Sequence, residues 1–208
     1  SHINHQITDS TKFKKYIENV YKHLQKKLEL RYKNFSYNIG STALVSIFYK
    51  KNNKISYFVI NVGDCRAVLC NSNNIAIPLS KDHKPNSNEE KKRIEKLGGE
   101  IEFDGFDWRI SGLSVSRAFG DMDAKPYVDP DPDIYKYNLK TNDKFIILAC
   151  DGLWDVISNQ EAVDFVLNKL DDICKLDNMS GYSVNNIAHE LGKYAIKKGS
   201  TDNISMVI

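Results

Sequence analysis

Apolar residues recur at two different periods along this chain. Between residues 10 and 33, Phe13, Ile17, Val20, Tyr21, Leu24 and Leu28 return at helical spacing with lysines between them. That spacing predicts an amphipathic helix, with Asp9 or Ser10 placed to cap its start. Gly40-Ser41-Thr42 breaks the pattern. Runs over 43–49 and 55–62 then read as strands joined by the polar turn Lys50 to Lys54. A third strand-like run, Arg66 to Leu69, follows the tight turn Gly63-Asp64, and a short one over 75–79 follows the polar turn Asn71 to Asn74.

Residues 80–132 have another character. Ser87-Asn88-Glu89-Glu90 has the form of a capping box, which predicts a helix from there to Gly98-Gly99. A Gly-rich stretch follows, and Asp129-Pro130-Asp131-Pro132 cannot sit inside a sheet or helix. The whole stretch reads as a long excursion from the core, and long irregular excursions are commonly functional lids.

The densest apolar signal is Phe145 to Cys150, six residues that stop at Asp151. A short apolar run bounded by a Gly turn predicts a buried strand over 144–150, ending in a carboxylate at a sheet edge. Asp155 follows in a turn where Gly152 lets the backbone bend. Ser158-Asn159-Gln160-Glu161 is a second capping box, opening a helix with Val163, Phe165, Val166 and Leu170 as its apolar face. A further helix is predicted over 183–197, with Val184, Ile187, Ala188, Leu191 and Ala195 at its apolar positions and Gly199 ending it. The chain closes on a strand over 204–208, preceded by Asp202-Asn203.

Composition narrows the function. The 208 residues are 41% hydrophobic and 27% charged with a net charge of +2, an ordinary globular balance that argues for neither nucleic-acid nor membrane partners. No apolar run approaches bilayer-spanning length. The N-terminus has neither a Met start nor a signal pattern, and reads as a fragment or a processed chain. Cys65, Cys70, Cys150 and Cys174 show no C-x-x-C spacing. Three lie in apparent strands, which points to buried thiols in a reducing, intracellular compartment, cytoplasm or nucleus.

Three carboxylates stand where strands end. Asp151 closes an outgoing strand and Asp202 precedes a returning one. If those strands are antiparallel neighbours, the two carboxylates share one sheet edge. Asp64 sits in a turn between two other strands, again at an edge. Converging carboxylates repel unless a divalent cation lies between them. All-oxygen ligation suits Mg²⁺ or Mn²⁺ rather than zinc, and none of the histidines forms an H-E-x-x-H or H-x-x-x-H pair. The alternative is that each Asp merely caps its own turn.

At these positions the chain resembles the metal-dependent protein phosphatases of the PP2C class. The resemblance rests on Gly40-Ser41-Thr42-Ala43, Asn61 to Val68, Lys81 to Pro85, Arg93-Ile94 with Gly98-Gly99, Arg109-Ile110 through Ser116 to Asp121, Cys150 to Asp155, and Gly199 to Ser205, all in the family's order. It implies an α+β fold: an α-β-β-α sandwich of two antiparallel sheets flanked by helices, one domain over 1–208 with 80–132 as its flap. It implies Asp151 and Asp202 as ligands of a Mg²⁺ or Mn²⁺ pair, Asp64 with Asp151 at a weaker third site, and Asp155 holding metal-associated water. It implies phosphoproteins as substrates, hydrolysed at Ser and Thr by a metal-activated water. The family's N-terminal Arg, its Glu-Asp pair and its Asp-Gly-His-Gly-Gly stretch have no match here. Phe103-Asp104-Gly105-Phe106-Asp107 looks similar but lacks the His and falls too late. The chain is therefore expected to be missing the family's first strands, to act weakly or not at all alone, and to self-associate through an uncovered sheet edge. A phosphatase-like regulatory module without catalysis is the alternative. Thiolate and aspartyl-phosphate mechanisms fail on spacing: there is no Cys-x5-Arg loop and no early Asp-x-Asp.

Overall fold

The computed structural model describes residues 9–32, 37–175 and 184–208. The chain divides into two compact units, Ser1–Asp64 with Lys81–Asn138, and Cys65–Ser80 with Leu139–Ile208.

The first unit opens with helix α1 (Ser10–Arg31), capped by Asp9, whose carboxylate accepts the Thr11 and Lys12 amides. Its inward face is Phe13, Ile17, Tyr21 and Gln25. Val20 and Leu24, expected on that face, are exposed. The stripe follows Phe13 at spacings of four, so position 25 is inside and its amide is put to use. Gln25 Oε1 accepts the Gly120 N–H at 3.1 Å, while its Nε2 points at the Gly120 carbonyl. Strand β1 (Gly40–Ser41) pairs with β8 (Phe119–Gly120). Strands β2 (Ala43–Lys51), β3 (Lys54–Val62) and β9 (Asp133–Asn138) form an antiparallel sheet in the order β2-β3-β9. Phe58, Ile60 and Val62 on one face of β3 pack with Phe13, Ile17 and Tyr21 of α1. The β2–β3 turn is tighter than expected. Asn52 and Asn53 alone make it, at φ 48° and 61°, the left-handed pair that a two-residue hairpin requires and that Asn tolerates. Strand β9 is absent from the sequence reading, because its tyrosines alternate with charged and polar residues just after the Pro-rich segment.

The excursion lies within this unit and has its own core of Ile94, Ile110, Ala118, Ala124 and Val128. It contains helix α2 (Asn88–Lys96), the hairpin β6 (Glu102–Phe103) with β7 (Trp108–Arg109), β8 and a short 3₁₀ turn, Met122–Ala124. Phe103 to Asp107 is the tip of that hairpin, where Asp104 accepts the Phe106 and Asp107 amides.

The second unit is a four-stranded antiparallel sheet in the order β11-β10-β4-β5, from β4 (Arg66–Cys70), β5 (Ala76–Pro78), β10 (Phe145–Ala149) and β11 (Met206–Val207). Helices α3 (Asp151–Trp154), α4 (Asn159–Lys175) and α5 (Val184–Lys197) complete it. Val68, Ile147 and Ala149 meet Leu153, Trp154, Val163, Val166, Ile187 and Leu191 in one apolar core. Ser158 caps α4 through its Oγ, at 3.2 Å from the Glu161 amide. Residue 183 and the side chains of Cys174 and Val184 lie outside the described residues.

Candidate functional site

Strands β10 and β11 are antiparallel neighbours, with Leu148 opposite Val207 and Ala149 opposite Met206. Asp151 leaves the end of β10, and Asp202 lies on the approach to β11. The two therefore belong to one end of this strand pair. The junction is tight. Cys150 N–H donates to the Ser205 carbonyl at 3.1 Å, and Ser200 Oγ donates to the Gly152 carbonyl at 2.6 Å.

Asp151 is the first residue of the single helical turn α3, not a residue of an open bend. Gly152 is accordingly needed for closeness rather than for bending. A Cβ there would stand 2.4 Å from the Asn203 carbonyl oxygen, so only glycine lets the start of α3 approach the 202–205 segment. Each carboxylate is oriented by the next residue's amide. Gly152 N–H donates to Asp151 Oδ1 at 3.0 Å, and Asn203 N–H donates to Asp202 Oδ1 at 2.6 Å. Asp151 is half-buried and Asp202 exposed. Asp155 caps the end of α3 and is exposed.

Asp64 belongs to the first unit and is built differently. Gly63 takes φ +105°, and a Cβ on it would lie 2.2 Å from Thr42 Cγ2. The turn is pinned on both sides: Gly63 N–H donates to His83 Nδ1 at 3.0 Å, and Asn61 Nδ2 donates to the Gly63 and Lys81 carbonyls. Asp64 is 3% exposed and its Oδ2 sits 2.6 Å from Lys84 Nζ. This carboxylate already has a cation of the protein's own.

The first unit also holds a buried network of acids and arginines that the sequence does not reveal. Ser87 occupies the α2 N-cap position but makes no side-chain cap. Glu90, its expected capping partner, turns inward. It accepts from Ser116 Oγ at 2.7 Å, from Arg93 at 2.9 Å and from Arg117 at 2.6 Å. Burial would raise the Glu90 carboxyl, but the hydrogen bonds and charges from Arg117, Arg93 and Ser116 outweigh it and hold it at about 2. Arg117 also reaches Asp133 at 3.1 Å, and Arg93 reaches Asp129 at 2.7 Å. The His83 ring, 3.3 Å from Asp133, holds that carboxyl below its usual range despite burial, with help from Tyr135 and Arg117. Glu90 reads as an ordinary first-turn acid with Arg93 one turn along, and nothing local shows that Arg117, far along the chain, turns toward it as well.

Among the described residues, no group of three or more His, Cys, Asp or Glu side chains is placed to hold a metal ion. Asp151 and Asp202 suit a hard divalent cation in donor type, being carboxylate oxygens at a solvent-accessible edge. In number they fall short of the six oxygens or so that Mg²⁺ takes. Also among the described residues, no helix is long and apolar enough to cross a membrane. Of the cysteines expected inside strands, only Cys70 is there and buried. Cys65 and Cys150 flank strand ends and are half-buried.

Helices packed with antiparallel sheets make an α+β fold, and comparison with known proteins gives its class. The family model for protein phosphatase 2C matches residues 2–204. The chain belongs to the protein phosphatase 2C family. It is 49% identical to the PP2C-like domain-containing protein R307 of Acanthamoeba polyphaga mimivirus, over 72% of this chain and 91% of that one. It is 47% identical to protein phosphatase 1L of Bos taurus, over 64% of this chain but 37% of that one. The crystal structure of a serine-threonine phosphatase 2C from Toxoplasma gondii superimposes with a TM-score of 0.76 at 25% identity, covering 94% of this chain and 66% of that one. The chain thus spans most of the viral relative but well under half of the bovine one.

Proposed function

We propose that this chain carries part of the site of a phosphatase that removes phosphate from Ser and Thr of phosphoproteins, with Mg²⁺ or Mn²⁺ held in part by Asp151 and Asp202. The observation that supports this reading is the antiparallel β10–β11 pair, which gives both carboxylates one end of the sheet. A bound divalent ion would acidify a coordinated water and neutralise phosphoryl charge. The chain's own residues supply the frame. Gly152 and Asn203 amides aim the carboxylates, and the close approach at Gly152 holds the two segments together.

The test is Mn²⁺-dependent release of phosphate from a phosphothreonine peptide by the longest product of the gene and by these 208 residues. The long form is expected to turn over, Asp151→Asn and Asp202→Asn to cost at least tenfold, and the 208 residues alone to release little. Full activity in both variants would overturn the assignment. The second reading is a phosphatase-like regulatory module without catalysis. It is favoured by the absence, among the described residues, of any group of three potential ligands. Phosphopeptide binding without turnover by the long form would select it.

A further inference from the structure

A cysteine stands at each strand end where β4 begins and β10 finishes: Cys65 immediately precedes β4 and Cys150 immediately follows β10. The register of this antiparallel pair runs from Phe145 opposite Cys70 to Ala149 opposite Arg66. One more step in each strand sets Cys150 opposite Cys65. Hydrogen-bonded and non-hydrogen-bonded pairs alternate along such a ladder, and two observations fix which kind this is. Trp154 Nε1 lies 3.1 Å from the Arg66 carbonyl and 2.9 Å from that of Ala149, so these two carbonyls converge between the strands, as in a hydrogen-bonded pair. Cys150 N–H points the other way, toward β11, where it donates to Ser205. Cys65 and Cys150 are then a non-hydrogen-bonded pair, for which the Cα–Cα separation is about 4.5 Å. That lies within the range of roughly 4.4–6.8 Å that a disulfide spans.

We infer that Cys65 and Cys150 are a redox-sensitive pair that closes into a reversible cross-strand disulfide when a hydroperoxide reaches them. Both are half-buried thiols, within reach of a small oxidant, whereas Cys70 is buried. They share the sheet face turned away from the core formed by Val68, Ile147 and Ala149. Cys150 Sγ now leans toward β11, 3.3 Å from the Asn203 carbonyl and 3.2 Å from the Ser205 nitrogen. A χ1 rotation gives up these two weak contacts and swings the sulfur toward β4. The chemistry balances with one hydroperoxide. The first sulfur attacks the peroxide, an S–O bond forms as O–O breaks, and an alcohol (or water) leaves with one thiol proton. The second sulfur attacks the resulting sulfenic acid, the S–S bond forms, and water departs with the other proton. The peroxide gains the two electrons the sulfurs lose.

The bond would lie next to Asp64 and Asp151 in the chain. Its effect on cation binding rests on the function proposed above, whereas its formation does not. The purified chain is treated with hydrogen peroxide, alkylated, and digested without reductant for mass spectrometry. The expected result is one linked peptide joining Cys65 to Cys150, reversed by dithiothreitol, unchanged in Cys70→Ser and absent in Cys65→Ser, with circular dichroism confirming that both variants fold. Linkage through Cys70 or Cys174 instead, or sulfinic acids with no linked pair, would overturn the inference. Manganese titration of the reduced and oxidised chain is the second arm. A loss of affinity of tenfold or more is expected, and a linked chain with unchanged affinity would overturn the switch. A reduced chain that binds no manganese would sink the metal reading while the linked peptide stood.

Discussion

The candidate ligand acids of the second unit are held differently from the buried acids of the first, although elsewhere in the second unit Glu161 and Glu190 are paired with Lys198 and Lys169. In the first, Glu90, Asp129, Asp133 and Asp64 are each answered by Arg93, Arg117, His83 or Lys84. In the second, Asp151 and Asp202 are answered by one backbone amide each, and among the described residues neither has a basic partner. A carboxylate that folding has already paired is structural, because removing its partner leaves a desolvated charge. A carboxylate held in position but not neutralised still has charge to offer a cation from solution. The residue type is the same, and the difference lies in what surrounds it.

The largest effect should come from breaking the paired side. Glu90→Gln removes the buried negative charge that Arg117 and Arg93 share, leaving them only Asp133 and Asp129 as carboxylate partners, and should cost about 3 kcal/mol in denaturant unfolding. A loss under 1 kcal/mol would mean the network is not structural. Acid reaches the same carboxylate more gently. Glu90 lies at about 2 when folded against an ordinary 4.5, so its stabilisation is fully present above pH 4.5. As pH falls from there through 2, it is lost, by about 3 kcal/mol on linkage arithmetic. Stability measured across that window should fall in the parent and much less in Glu90→Gln.

On the other side, Gly152→Ala drives a methyl into the Asn203 carbonyl, at 2.4 Å before relaxation, and should cost about 1–3 kcal/mol. It should also weaken any manganese binding, because it parts the segments that carry Asp151 and Asp202. The smallest effect is expected of Asp151→Asn and Asp202→Asn. Each should stay within about 0.5 kcal/mol of the parent in metal-free buffer, yet lose the rise in melting temperature that excess Mn²⁺ gives a chain that binds it. If either variant unfolds as readily as Glu90→Gln, the contrast between the units fails.

Much of this was legible along the chain. The helical repeat from Phe13, the apolar run into Asp151 and the cap at Ser158 each depend on neighbours within a few residues, so sequence carries them. The same holds for Asp151 and Asp202, since strands followed or preceded by an Asp can be read without knowing the sheet order. The errors are those of longer range. Strand β9 was missed because only its pairing with β3 makes its alternation a strand. Glu90 reads as a capping residue because a capping box and a buried acid look alike over four positions. Gly152 was credited with bending, when the backbone opposite it was the reason.

The sequence by itself determined the local elements, the family and the acidic residues worth testing, because periodicity, caps and ordered motifs are written in adjacent positions. Tertiary structure alone decided which acids meet cations within the protein, which glycine is pressed against a carbonyl, and which strands run side by side. Those outcomes depend on pairings between residues tens of positions apart, and a charge or a methyl group is costly or harmless only according to what folding brings against it.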